Sequence, residues 1–349
     1  MTIYDDHVDT WCDQHAVNRN DCGCQTQTQQ LLAAIKSGTW LNEQHFPPLT
    51  YAIPHIIPEG YSVLAGAPKI GKSWLILETA LALSFGGTAL NHIPVEAGRV
   101  LYLALEDGDR RLQSRTGMLR PAQPLTELFN YATSIAPGQI QNTIKEWLNV
   151  YPDTRLIILD TLGKVMPPAL KNETTYERDY RVGSSLKRIA DEHPGLAIIA
   201  IHHDRKSKTG DFVDSVSGTN GVAGSADTII TLQRDRLNPQ GILSVTGRDV
   251  TEAQYAITLR NNCQWMIDGN TLDESQKIAA TRRTEIKTSN LGPDQQRILD
   301  LVKQHGPGIA PKHVAEALDW DNGKASAYLG RLADAGLIDK LARGTYGPL

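Results

Sequence analysis

The sequence predicts an α/β domain built on a mostly parallel sheet and followed by a small helical domain, and three observations predict it. Near-continuous apolar runs recur at residues 62–65, 99–105, 155–159, 196–201 and 226–232. Such runs fit parallel strands covered by helices on both faces. Helical stretches at 74–81, 140–150 and 180–192 separate them, the alternation that generates a parallel sheet. Between the first run and the first helix lies Gly66-Ala67-Pro68-Lys69-Ile70-Gly71-Lys72-Ser73. This is the G-x-x-x-x-G-K-[ST] spacing in which backbone N–H groups wrap the phosphates of a nucleotide.

That loop sets the expected chemistry. Lys72 would reach the β/γ-phosphates of ATP and Ser73 would hold Mg²⁺, while the start of the helix, with Trp74 as its next residue, favours negative charge. The run at 99–105 ends in Glu106-Asp107. Ligands in open α/β sheets sit at the carboxyl ends of strands, so Glu106 reads as the general base or water-orienting group, with Asp107 as its rival. The run at 155–159 ends in Asp160-Thr161, the form of strand whose aspartate serves the same Mg²⁺ as the loop serine. The run at 196–201 ends in His202-His203, imidazoles able to sense a γ-phosphate through their N–H groups.

A chain of 349 residues with 40% hydrophobic content accommodates one large α/β domain and one or two small ones. No apolar run reaches about 18 residues, and the start, Met1-Thr2-Ile3-Tyr4-Asp5-Asp6-His7, lacks the basic and apolar regions of an export leader. The expectation is a cytoplasmic protein with no membrane partner. A net charge of −4 excludes coating of DNA by bulk electrostatics and leaves any contact to a local channel or loop. Residues 204–220 are such a loop: Arg205, Lys206 and Lys208 lie among glycines without apolar periodicity, which suits a segment gripping a nucleic-acid backbone.

Residues 1–45 read as an N-terminal appendage with one helix over 26–37. Within it, Cys12, Cys22 and Cys24 accompany His7 and His15. Thiolates with imidazoles suit zinc, yet a single C-x-C with its third cysteine well upstream is not a common zinc spacing, and reduced cysteines are the preferred reading. Pro47-Pro48 then opens the domain spanning 46–267, in which 109–115 reads as a solvated basic helix, 130–135 as a short strand and 241–259 as a closing hairpin. Residues 268–290 read as a charged linker with Arg282 and Arg283 exposed. The last domain, 291–349, shows helical spacing at 293–305, 311–317 and 321–335, then a hairpin through 336–346. Three helices and a hairpin suggest a winged helix, with Lys324, Ser326 and Arg331 on the reading helix and Arg343 on the wing. Balanced charge there leaves duplex DNA and a protein as alternative partners.

Gly66-Ala67-Pro68-Lys69-Ile70-Gly71-Lys72-Ser73, Leu105-Glu106-Asp107, Leu159-Asp160-Thr161, Ile201-His202-His203 and Gly224-Ser225-Ala226-Asp227-Thr228-Ile229 follow one another over roughly residues 50 to 265. As a set they resemble the RecA-like ATPases of the hexameric replicative helicase group, particularly plasmid RepA-type helicases and related phage and mobile-element ATPases. The resemblance implies a RecA-like P-loop core that uses ATP and Mg²⁺. It makes Glu106 the water-activating residue, Asp160 the metal-side aspartate and His203 the phosphate sensor of its pair. It also implies a homo-oligomeric ring, a hexamer, with ATP between subunits and single-stranded DNA in the channel. The function implied is that of a DNA-dependent ATPase acting as a replicative helicase, with a helicase loader, an accessory ATPase or an ATP-switched DNA-binding regulator as alternatives. One departure stands out: these helicases often carry an arginine finger just before the glycine-serine turn, and here that place in Val222-Ala223-Gly224-Ser225 is alanine. Arg248 is the replacement expected, with Arg234 and Arg236 as alternatives, since an inter-subunit arginine contributes orders of magnitude in rate.

Overall fold

The computed structural model describes residues 11–12, 17–18, 32–136, 138–164, 166–203, 221–289 and 291–349. Contacts divide the chain into residues 1–48 and 49–349. The first unit holds two paired strands, β1 (Trp11–Cys12) and β2 (Val17–Asn18), and a helix, α1 (Gly38–Glu43). Of the helix expected at 26–37, Leu32 is helical, whereas residues 33–34 are turn and 35–37 carry no regular secondary structure. Helix α1 follows Ser37, whose hydroxyl accepts from Trp40 N at 3.0 Å and caps the first turn. Residues 26–31 of that stretch lie outside the described residues, as do Cys22, Cys24, His7 and His15 of the zinc reading and the basic loop at 204–220.

The second unit is organised on a nine-stranded sheet of order β15-β14-β13-β12-β5-β11-β10-β8-β9. Its parallel part comprises β5 (Gly60–Gly66), β8 (Arg99–Ala104), β9 (Phe129–Ala132), β10 (Thr154–Asp160), β11 (Ala197–His203) and β12 (Thr228–Arg234). Two small hairpins precede and follow the helix over Lys72–Phe85: β3 (Tyr51–Ile53) with β4 (Ile57–Pro58), and β6 (Gly87–Ala89) with β7 (Ile93–Val95). The antiparallel part is β13 (Gln240–Gly247), β14 (Ala253–Leu259) and β15 (Trp265–Ile267).

Alternation along each parallel strand feeds two cores, because successive side chains point to opposite faces. Leu64, Leu156 and Ile158 pack against α2 (Lys72–Phe85) and α3 (Asp109–Leu119). Val63, Ile157 and Leu159 pack on the other face against α4 (Ile140–Val150) and α5 (Thr175–Asp191). Helix α5 starts earlier than the sequence suggested, at Thr175, since Thr174 and Glu177 form a capping box in which each side chain bonds the other's backbone N–H. The short helix α6 (Gly221–Ser225) carries the glycine-serine turn.

The stretch read as a linker is instead α7 (Leu272–Ser289), lying on β14. Arg282, expected to be exposed, is buried there, donating to Gly241 O at 2.7 Å and pairing with Asp268 at 2.9 Å. After it come α8 (Pro293–His305), α9 (Pro311–Leu318) and α10 (Asn322–Asp334), then the hairpin β16 (Asp339–Ala342) and β17 (Thr345–Gly347). Asp321 caps α10 through Lys324 N, and Ile298, Val302, Leu329 and Leu332 close a separate small core. Among the described residues no helix is long and apolar enough to cross a membrane.

Candidate active site

Four parallel strands end side by side at one edge of the sheet, and the phosphate loop leaves the sheet there. Strand β5 stops at Gly66 with φ +151°, where a Cβ would stand 2.5 Å from Leu232 O; only glycine allows the strand to end this close to its neighbour. Gly71 takes φ +100° at the start of α2, and a Cβ on it would meet the Trp265 ring at 3.1 Å. Trp265, fully buried, donates Nε1 to Gly71 O at 3.0 Å. Arg234 donates to Ile70 O at 3.2 Å and Arg236 to Pro68 O at 3.3 Å. Lys72, itself buried, spans the loop from inside, with Nζ 2.6 Å from Gly66 O and 2.9 Å from Ala67 O. Each of these bonds occupies a loop carbonyl, the group that would repel a bound anion. The loop conformation is therefore fixed by side chains of the same chain.

Asp160 ends β10, two strands away from β5. Its Oδ1 accepts from Ser73 Oγ at 3.1 Å and its Oδ2 from Tyr102 Oη at 2.7 Å. Burial raises the Asp160 carboxyl above the usual carboxylate range, and the two hydroxyl bonds work against that rise. The peptide bond that follows, Asp160–Thr161, is cis. Thr161 Oγ1 in turn donates to Glu106 Oε1 at 3.1 Å, so the residue after Asp160 holds the carboxylate at the end of the neighbouring strand.

The two acidic residues after β8 part company. Asp107 is buried, contacting Arg111 at 3.0 Å and pairing with Arg115. Glu106 is exposed on a cleft of about 500 Å³ that is also lined by Lys72, Ser73, Trp74, Arg115 and Arg234. Of the two, Glu106 is the carboxylate presented to the cleft and Asp107 the one engaged by α3. His203 ends β11 with its backbone in register with Gly66, beside the first residue of the loop; its side chain lies outside the description.

Arg248 is not brought to this edge. Strand β13 runs antiparallel to β12, which carries Arg248 to the amino end of the parallel strands, where its side chain is 64% exposed and 3.8 Å from Asp227 Oδ1. Arg234 and Arg236, the alternatives, stand against the loop of their own chain. In or behind the cleft stand residues that the sequence reading missed. Tyr102 was read as strand core, Trp265 as the end of a domain, and Arg115 as part of a solvated helix. A signal for Arg115 was present: Leu112, Arg115, Thr116 and Leu119 are the buried residues of α3, spaced as the inward stripe of a helix.

Among the described residues no cluster of three histidine, cysteine or acidic groups could hold a metal ion by itself. The donors that do converge are Ser73 and Asp160, a hydroxyl and a carboxylate, hard oxygen ligands of the kind Mg²⁺ takes alongside substrate phosphates and water.

A family model described as an AAA domain matches residues 28–209, just over half of the chain. Among solved structures the chain is similar to the crystal structure of the RadB recombinase, at 15% identity over 60% of this chain and 91% of that one, with a TM-score of 0.41. No curated protein matches it.

Proposed function

Since the chain belongs to the AAA domain family of P-loop ATPases, we propose that it is a ring-forming, DNA-dependent ATPase with a RecA-like core, acting as a replicative helicase of a plasmid, phage or mobile element. The observation that carries the hydrolytic part is the chain of contacts Ser73–Asp160 at 3.1 Å and Thr161–Glu106 at 3.1 Å at one strand edge. It joins a metal-side pair to a water-side carboxylate, the two poles that phosphoryl transfer needs around one phosphate.

In this reading the loop from Gly66 to Ser73, with Trp74, binds ATP, and Lys72 meets the β/γ-phosphates. Ser73 and Asp160 hold Mg²⁺, which supplies charge stabilisation for the transferring phosphoryl group. Glu106, oriented by Thr161, accepts the proton of the attacking water, and Tyr102 fixes the rotamer of Asp160. His203 senses the γ-phosphate from the adjacent strand end. Arg248, exposed and turned to the other end of the sheet, serves a neighbouring subunit's nucleotide. The C-terminal helices and hairpin act as a winged helix toward duplex DNA or a protein.

Steady-state hydrolysis and strand displacement with wild type and Arg248→Ala test this. Stimulation by single-stranded DNA together with unwinding, both lost in Arg248→Ala, is the expected result. Stimulation without unwinding would make the protein a loader or accessory ATPase. Duplex-specific binding with negligible turnover would make it an ATP-switched regulator.

A further inference from the structure

Arg115 is buried in α3, at 5% exposure, yet it lines the cleft. Its Nη1 is taken by Asp107, and its guanidinium lies over the Trp74 ring at 4.5 Å. The side chain is thus oriented from two sides, by a carboxylate and by an aromatic face. Nε and Nη2 are buried and have no acceptor among the described residues. Buried polar groups are nearly always paired, so two orphaned N–H groups on one guanidinium call for an acceptor. Charge counting agrees. Arg111 shares the same Asp107 at 3.0 Å, which leaves two guanidiniums on one carboxylate.

We propose that Arg115 is a nucleotide-binding residue in cis, whose Nε and Nη2 donate to phosphate oxygens of the nucleoside triphosphate held by the loop. The inference rests on the nucleotide site proposed above. Phosphate rather than base is favoured by position: Trp74, under the guanidinium, directly follows Ser73. Ser73 is the residue that contacts Asp160, which puts the guanidinium near the metal end of the site. Asp107 is then a positioning residue, and this accounts for an acidic pair after β8 in which only one member faces the cleft.

Calorimetric titration of the full chain with ATP and, separately, with inorganic tripolyphosphate tests this. Two variants are used, Arg115→Lys, which keeps the pair with Asp107, and the double change Arg115→Gln with Asp107→Asn, which leaves no buried carboxylate unpaired. Both are first checked for a wild-type thermal transition, and Arg115→Lys alone decides the matter if the double variant does not fold. The expected result is a loss of about 10-fold or more in affinity for both ligands, while wild type binds both. Wild-type affinity for both ligands in the variants would overturn the role of Arg115 and leave the site intact. Loss for ATP with tripolyphosphate unchanged would also overturn it, placing the contact on the nucleoside. Failure of wild type to bind ATP would instead refute the nucleotide site itself.

Discussion

At the amino end of the parallel strands the carboxylates are matched by donors of this chain. Asp227 accepts from Lys187 Nζ at 2.6 Å and Tyr61 N at 3.2 Å, with Arg248 at 3.8 Å. Glu59 accepts from Thr50 N, Thr50 Oγ1 and Gly195 N. At the carboxyl end the same strands finish differently. Gly66 and Gly71 stand where no side chain fits, loop carbonyls are engaged by Lys72, Trp265 and Arg234, and a buried arginine retains two N–H groups without acceptors among the described residues. The carboxylates named at one end are met by donors of their own chain, whereas at the other end a buried guanidinium is only partly met. The difference teaches that a sheet held by uniform apolar runs is differentiated by the polar groups placed at its strand ends.

The contrast breaks most sharply at Lys72. Lys72→Ala is expected to abolish ATP hydrolysis, by at least about 100-fold, in a phosphate-release assay, and retained turnover would remove the loop from the chemistry. Next in size is Glu106→Gln, expected to lower kcat by about 100-fold or more while leaving the dissociation constant for ATP within about 3-fold. Single-turnover kinetics separates the two effects, and a matching loss of binding would contradict a water-side role.

A smaller effect concerns Glu78, buried in α2 behind the loop, whose Oε1 accepts from Leu90 N at 3.2 Å. Burial pushes its pKa up to about 7 from an ordinary 4.5. A folded-state pKa above the unfolded one means that the stabilising proton is fully present below the unfolded value and lost as pH rises through about 7. Wild type is therefore expected to lose on the order of 3 kcal/mol of unfolding free energy between pH 5 and 8 that Glu78→Gln does not lose, read from urea titrations at each pH. Parallel curves for the two proteins would contradict the assignment. The smallest effect belongs to the amino end of the strands: Lys187→Met is expected to cost about 1 kcal/mol of stability, as a partly exposed ion pair does, with kcat unchanged. A large drop in kcat would erase the division between the two ends.

Much of this was legible in the sequence because strands buried on both faces need continuous apolar runs. Residues 155–159 and 196–201 announce themselves in that way, and parallel pairing carries Asp160 and His203 to the edge that holds Gly66. The glycine-lysine-serine spacing fixed the loop for a related reason, since few backbones can be built at Gly66 and Gly71 with other residues. Helix α7 was read as linker because its buried positions are Ser275, Ala279 and Arg282, too small or too polar to register as an apolar stripe. Arg282 lies inside only because Asp268 and two carbonyls meet it, partners that no local pattern reveals. For Arg115 the inward spacing of α3 was legible, but its partners Asp107 and Trp74 lie outside that helix, so its place beside the cleft was not. The choice between Glu106 and Asp107 was likewise closed to periodicity, because it depends on which carboxylate the α3 arginines engage.

The central claim is that a nucleoside triphosphate sits on the loop from Gly66 to Ser73, with Asp160 and Glu106 completing the site. A crystal structure with Mg²⁺ and a non-hydrolysable ATP analogue tests it most directly. The account predicts the β- and γ-phosphates against Lys72 and the backbone N–H groups of the loop, with the metal beside Ser73 and Asp160. A nucleotide bound in another cleft, with this loop free of phosphate, would contradict it.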